Sequence, residues 1–119
     1  MVNEKPNVII DKSYAFALES VKLYRYMTEQ QNEFVLSKQF LRSATSVGAN
    51  VEEAQAAQSK KDFISKMAIS SKEARESKYW LRLMRDANYI HNEHPLLTDI
   101  ESIINILTKI VKTGSENAK

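Results

Sequence analysis

His91 and His94 stand three residues apart with Glu93 between them, and they are the only imidazoles in a chain of 119 residues. Two imidazoles and a carboxylate begin a zinc-type ligand set, but such a site needs its ligands held rigidly. The segment around them, Asn88–Pro95 (NYIHNEHP), is polar and has no helical period. It is read as a solvated loop, and no metal is expected. Glu53, Glu73 and Glu76 could converge between helices, as carboxylates do in di-iron bundles. Those sites draw Glu-x-x-His repeats from two helices, and neither histidine lies near these acids. The chain has no cysteine, which excludes disulfides, thiolate metal sites and thiol catalysis. It also lacks a Gly-rich phosphate loop and a nucleophile in a recognisable setting. No catalytic residue and no cofactor is therefore expected.

Charge gives a different lead. Net charge is only +2, too small by itself to imply a polyanionic partner. Between Lys60 and Arg85, however, eight basic residues face three acids, while the rest of the chain carries nine basic residues and twelve acids. Within that segment Arg75, Lys78, Arg82 and Arg85 recur at helical spacing and form a basic stripe, with Lys60 and Lys61 upstream. Such a stripe can neutralise phosphates and give salt-dependent binding to RNA or DNA. It can equally be a solvated helical face. Tyr79 and Trp80 adjoin it, but Trp80 lies towards the apolar side and is expected to be largely buried in the core, not a platform for bases.

The elements that must position these residues are helical. Only two Gly and two Pro occur, which disfavours a chain of many tight turns. With 43% hydrophobic and 27% charged residues, the composition is that of one ordinary globular domain. No apolar run is long enough for a membrane span and the start has no signal-peptide block, so a cytoplasmic protein is expected. Four helices are predicted, over about 13–31, 36–58, 60–89 and 97–112, with Gly114 as the stop and a frayed tail beyond it.

The first helix carries two apolar stripes, Tyr14, Ala17, Leu18, Val21 and Tyr24 on one side and Phe16, Leu23 and Met27 nearly opposite. Two stripes suggest either a contact beyond the monomer's core or an unusually central helix. The second helix buries Leu36, Phe40, Ala44, Val47, Val51 and Ala54. Beside that face runs a seam of Gln39, Ser43, Ser46, Asn50, Glu53 and Ala57, small or polar enough for close helix approach. Gly48, costly in mid-helix, marks either a close backbone contact or a tolerated residue. Ser59 and Asp62 have the spacing of a variant capping box for the third helix. Glu73 and Glu76 fall inside that helix's apolar arc and so need partners, Arg42 or a basic residue of a neighbouring subunit. Ser46, Asn50, Glu53, Glu73 and Glu76 are accordingly assigned to a structural polar network. The fourth helix opens either at Pro95 or at a Thr98 cap paired with Glu101, and it buries Ile100, Ile103, Ile104, Leu107, Ile110 and Val111.

The block Arg42–Met84 (RSATSVGANVEEAQAAQSKKDFISKMAISSKEARESKYWLRLM) closely resembles the four-helix bundle family of 23S rRNA intervening-sequence proteins. The resemblance rests on Ser46, Asn50 and Glu53, then Lys72, Glu73, Ala74 and Glu76, then Tyr79, Trp80 and Leu81. Asn-Val-Glu-Glu-Ala stands where many members end the element in Glu-Gly. The resemblance implies an all-α, antiparallel up-and-down bundle that assembles as a ring, typically a homopentamer, with Phe16, Leu23 and Met27 fitting a subunit interface. It also brings in a relative of similar fold, the accessory protein of diversity-generating retroelements, which binds nucleic acid and a reverse transcriptase through basic surfaces. Taken together with the basic stripe, the function expected is non-enzymatic. It is either binding of structured RNA or other nucleic acid through Lys60, Lys61, Arg75, Lys78, Arg82 and Arg85, or a scaffold that docks a partner protein.

Overall fold

A computed structural model describes residues 5–117 and contains four helices, α1 (Lys5–Glu29), α2 (Leu36–Ala54), α3 (Lys60–Asp86) and α4 (Pro95–Asn117). The described residues are all-α, with no strand. Short connections force consecutive helices to run antiparallel, and α1 packs on α2, α2 on α3, α3 on α4 and α4 on α1. The α1–α2 and α3–α4 turns thus share one end of a body measuring 47 × 24 × 20 Å. Among the described residues, α1–α4 is the thinnest of the four seams.

The core lies on the axis of this square. Phe16 of α1 meets Phe40 of α2 edge to face, with ring centroids 6.3 Å apart. Met67, Leu81 and Met84 of α3 and Ile100, Ile103 and Leu107 of α4 close the other half. The faces predicted for α2 and α4 are the ones the structure turns inward, but α1 is reversed. Phe16, Leu23 and Met27 are fully committed to the monomer's core, together with Ile9, so they cannot form a subunit interface. The outward side is the other stripe, where Tyr14 is 66% and Leu18 50% exposed. The reason is serine. Ser13 and Ser20 complete the inward stripe and satisfy their hydroxyls on the helix's own carbonyls, donating to Ile10 O at 3.2 Å and Phe16 O at 2.7 Å.

Helix boundaries shift for local reasons. The first helix does not begin at Ser13, which is buried within a helix that begins at Lys5 and holds Pro6 in its first turn, where proline is tolerated. Asn32 (φ 54°) and Asn88 (φ 68°) adopt the left-handed conformation just past α1 and α3, which ends those helices near Glu29 and Asp86. There the Glu33 N–H reaches Met27 O at 2.9 Å and the Ile90 N–H reaches Met84 O at 3.3 Å. α2 stops at Ala54, short of Gln58, because Ser59 already caps α3 by accepting from the Asp62 N–H at 3.0 Å.

Gly114 does not end α4, which runs on to Asn117 with Gly114 buried against Ile64 of α3. Gly48 lets α1 approach α2, since a Cβ there would lie 3.3 Å from Ser13 O. None of the helices described is long and apolar enough to cross a membrane.

Candidate functional site

The six basic residues grouped by sequence do not form one patch. Lys60 and Lys61 lie at the start of α3, about 22 Å along the helix axis from Arg75 at the usual 1.5 Å rise per residue. Arg85, at the other end, is tied to its neighbour Asp86 at 2.8 Å. That contact holds the Asp86 carboxyl below its ordinary range and the Arg85 guanidinium above its own.

The remaining three converge. Arg75, Lys78 and Arg82 line a groove of about 380 Å³ between α3 and α4, with Tyr79 on their bank and Glu101, Ile104, Asn105 and Thr108 opposite. Two of the cations also fasten the helices together. The Arg75 guanidinium donates to Thr108 Oγ1 at 2.8 Å, and Lys78 Nζ lies 2.5 Å from a Glu101 carboxylate oxygen. Arg82 is exposed and takes part in no ion pair among the described residues. Tyr79, on the same bank as Arg75 and Arg82, is 51% exposed and holds its ring edge-on to Trp80, with centroids 5.1 Å apart. The sequence draws attention to the indole, yet the phenol is what faces the groove. Tyr79 sits four residues after Arg75 and three before Arg82, and that spacing was the available signal.

The polar residues assigned to one network fall into three groups. Glu73 and Glu76 both meet Arg42 of α2, the Glu73 contact being 3.4 Å. Glu76 also accepts from the Trp80 indole N–H at 2.9 Å. The indole bond holds the Glu76 carboxyl below the usual carboxylate range, partial burial works against it, and Arg42 adds to the lowering. Trp80 is half-buried against the core, with its N–H committed to this contact.

Ser46 and Asn50, by contrast, bond within α2, to Arg42 O at 2.8 Å and Ser46 O at 2.9 Å. Glu53 is 61% exposed and, among the described residues, pairs only with Lys66, at 3.3 Å. It lies near the end of α2, too far down the helix to join Glu73. The buried polar links between α2 and α3 are instead serines. Ser77 Oγ donates to Ser43 Oγ at 3.0 Å, and Ser70 Oγ donates to Val47 O at 2.8 Å.

A second hollow, of about 390 Å³, opens at the turn end between α1 and the α3–α4 connection, lined mainly by Leu23, Tyr26, Tyr89 and Ile90 with His91 and His94. Each imidazole is already used locally. His91 Nδ1 accepts from the Glu93 N–H at 3.1 Å, and His94 Nδ1 accepts from the Leu96 N–H at 3.2 Å at the start of α4. No cluster of three or more potential metal ligands occurs among the described residues.

No curated protein matches this chain. A crystal structure at 1.70 Å resolution of a protein with unknown function, from the S23 ribosomal protein family of Bacteroides thetaiotaomicron, is similar throughout. It is 47% identical, with a TM-score of 0.88 over 91% of this chain and 98% of that one. The sequence model for 23S rRNA-intervening sequence proteins matches residues 5–109, spanning all four helices and both banks of the α3–α4 groove. The chain therefore belongs to the 23S rRNA-intervening sequence protein family.

Proposed function

We propose that this protein is a non-enzymatic, cytoplasmic homo-oligomer that binds structured RNA or another nucleic acid, with the α3–α4 groove holding the phosphate backbone. The observation that carries this reading is the convergence of Arg75, Lys78 and Arg82 on one groove beside an exposed aromatic ring. Cations there neutralise phosphates and release counterions, a contribution that weakens steeply with salt. The family's name ties it to rRNA intervening sequences, which makes RNA the first ligand to try. Self-association is supported by the outward Tyr14 and Leu18 of α1, and the ring of five is what the family resemblance implies. A ring would repeat the groove around its circumference and sum its field.

Replacing Arg75, Lys78, Arg82 and Arg85 together with Gln tests the proposal. Anisotropy titration with a labelled RNA hairpin should show binding lost, while light scattering shows the same assembled mass. Because Arg75 and Lys78 also bridge helices, R82Q alone serves as the structurally silent control and should flatten the salt dependence by about one phosphate contact. Unchanged hairpin affinity in the quadruple variant rejects the role of the stripe. The second reading, a scaffold that docks a partner protein, is favoured by one observation. Glu101 and Asp86 already neutralise two of the four stripe cations, giving a mosaic of both signs better suited to a protein surface than to a polyanion. Stoichiometric copurification of a protein that survives nuclease treatment would favour it.

A further inference from the structure

We infer that the α3–α4 groove takes a single-stranded nucleotide with its base unstacked onto Tyr79, in preference to intact duplex; this inference rests on the nucleic-acid reading above. The groove holds three kinds of group that a nucleotide presents a need for. Arg82, in no ion pair among the described residues, supplies a guanidinium for a phosphate, with Arg75 four residues before Tyr79 on the same bank. Tyr79 supplies a flat apolar face. Asn105, exposed on the α4 bank, supplies an amide that donates and accepts, as the edge of a base requires.

The aromatic ring decides between single strand and duplex. In a helix the bases are stacked on one another and only backbone and groove edges are open, so a side-chain ring meets a base face only where the base is splayed out. Half of Tyr79 is exposed, although its edge-on contact with Trp80 fixes its position. Trp80 is in turn anchored by its N–H to Glu76. A pinned, solvent-facing ring beside guanidinium groups loses little conformational freedom when a base lands on it, and base–aromatic stacking is tolerant of sequence. The volume of about 380 Å³ is at the small end for ligand clefts, suited to one nucleotide unit and not to the paired rails of a duplex. The Lys78–Glu101 pair spans the same groove, so an arriving phosphate competes with Glu101 for Lys78.

The test uses the full chain with two labelled probes of equal length, a single-stranded oligouridylate and a self-complementary RNA duplex, at one salt concentration. The expected result is tighter binding of the single strand. Y79A should weaken that binding by about 5- to 150-fold, the range set by losing one stacked base, and leave duplex binding within about twofold. Y79F keeps the ring and should bind as the wild type does, which separates stacking from loss of the hydroxyl. Trp80, the only tryptophan, should change its fluorescence when the single strand binds and not when the duplex does. Equal binding of both probes, unaffected by Y79A but weakened by R82Q, overturns this inference and leaves the phosphate-binding proposal standing. If neither probe binds, both fall.

Discussion

Replacing Glu33 with Gln should destabilise the protein at neutral pH and hardly at all in acid. Glu33 lies in the α1–α2 turn, only 8% exposed, and its carboxylate replaces the missing cap of α2. One oxygen accepts from the Val35 and Leu36 N–H groups at 3.0 and 2.8 Å, and the other from the Ser37 N–H at 2.8 Å. Ser37 Oγ returns a bond to Glu33 O at 2.8 Å. Burial by itself would raise this carboxyl's pKa, but the backbone bonds from Leu36, Ser37 and Val35 outweigh it and the net shift is downward.

Hydrogen bonds to a charged group contribute about 1.5–3 kcal/mol each, yet three cannot simply be summed, because N–H groups at a helix start regain water when released. Loss of a helix cap costs about 0.5–2 kcal/mol, and loss of the anion from the positive end of the helix dipole about 0.3–1 kcal/mol more. A glutamine can keep one oxygen in place but turns an amide N–H₂ towards the Ser37 N–H. The expected loss is therefore about 1–2 kcal/mol for Glu33→Gln and about 2–3 kcal/mol for Glu33→Ala.

Urea unfolding followed by circular dichroism, at one fixed protomer concentration so that any self-association cancels, reads this directly. With a slope of about 2 kcal/mol/M, the Glu33→Gln midpoint should fall by roughly 0.5–1 M at pH 7. Because the folded pKa is lowered, the stabilisation is fully present above the ordinary carboxylate pKa and is lost as pH falls through the folded value. The gap between wild type and variant should narrow as pH falls below the ordinary carboxylate range and vanish once the folded carboxyl is protonated. A variant with the wild-type midpoint at pH 7, or a gap of the same size at both pH values, would refute the cap.

Two further expectations follow from the packing. His94, half-buried and accepting at Nδ1 from the Leu96 N–H, has its pKa lowered by burial, against the pull of Asp99 and Glu19. Its contribution is present above the unfolded value of 6.5 and is lost as pH falls through the lower folded value, so the urea midpoint should decline on acidification below pH 6.5. His94→Asn, which retains an acceptor for the Leu96 N–H, should flatten that decline. An unchanged slope would assign it to another group. At Gly114, a Cβ would fall 1.8 Å from Ile64 Cδ1 and 2.9 Å from Ile64 Cγ1. Gly114→Leu should cost about 1–3 kcal/mol by overpacking, and adding Ile64→Ala should return part of it in a double-mutant cycle. Strict additivity of the two losses would show that the residues do not meet.

How far the sequence was legible depended on how simply each residue type mapped to burial. Leu36, Phe40, Val47 and Val51, like Ile100, Ile103 and Leu107, repeat at helical spacing, and the inward faces of α2 and α4 follow from that repeat. α1 misleads because its outward stripe of Tyr14, Ala17, Leu18, Val21 and Tyr24 is unbroken, whereas the buried stripe of Ile9, Phe16, Leu23 and Met27 is interrupted by Ser13 and Ser20. A serine that bonds its own helix's carbonyl carries no unmet polar demand, so periodicity that counts it as polar assigns the wrong side. The same blindness hid Ser70 and Ser77. Arg42 could be named as a partner for Glu73 and Glu76, since two acids in an apolar arc demand a cation. Glu33 left no such sign, because an acid before a helix reads as a solvated turn until the fold encloses it. In the groove, the basic spacing was visible, whereas the α4 bank depends on which helix packs beside α3.

The thin α1–α4 seam has a consequence for the order of assembly. The other three seams join helices adjacent in sequence across short turns, whereas this one pairs the first helix with the last. The entropic cost of bringing chain segments together grows with the logarithm of the intervening length, so the greatest closure cost falls on the seam with the fewest contacts to offset it. The α2–α3 hairpin, with the densest contacts, is the natural nucleus, and α1–α4 pairing the final event in folding and the first in local opening. Topology sets the start of α1 and the end of α4 at the same end of the bundle. A circular permutant that links them and cuts the α2–α3 turn would make the weakest seam local and transfer the long-range closure to the strongest one.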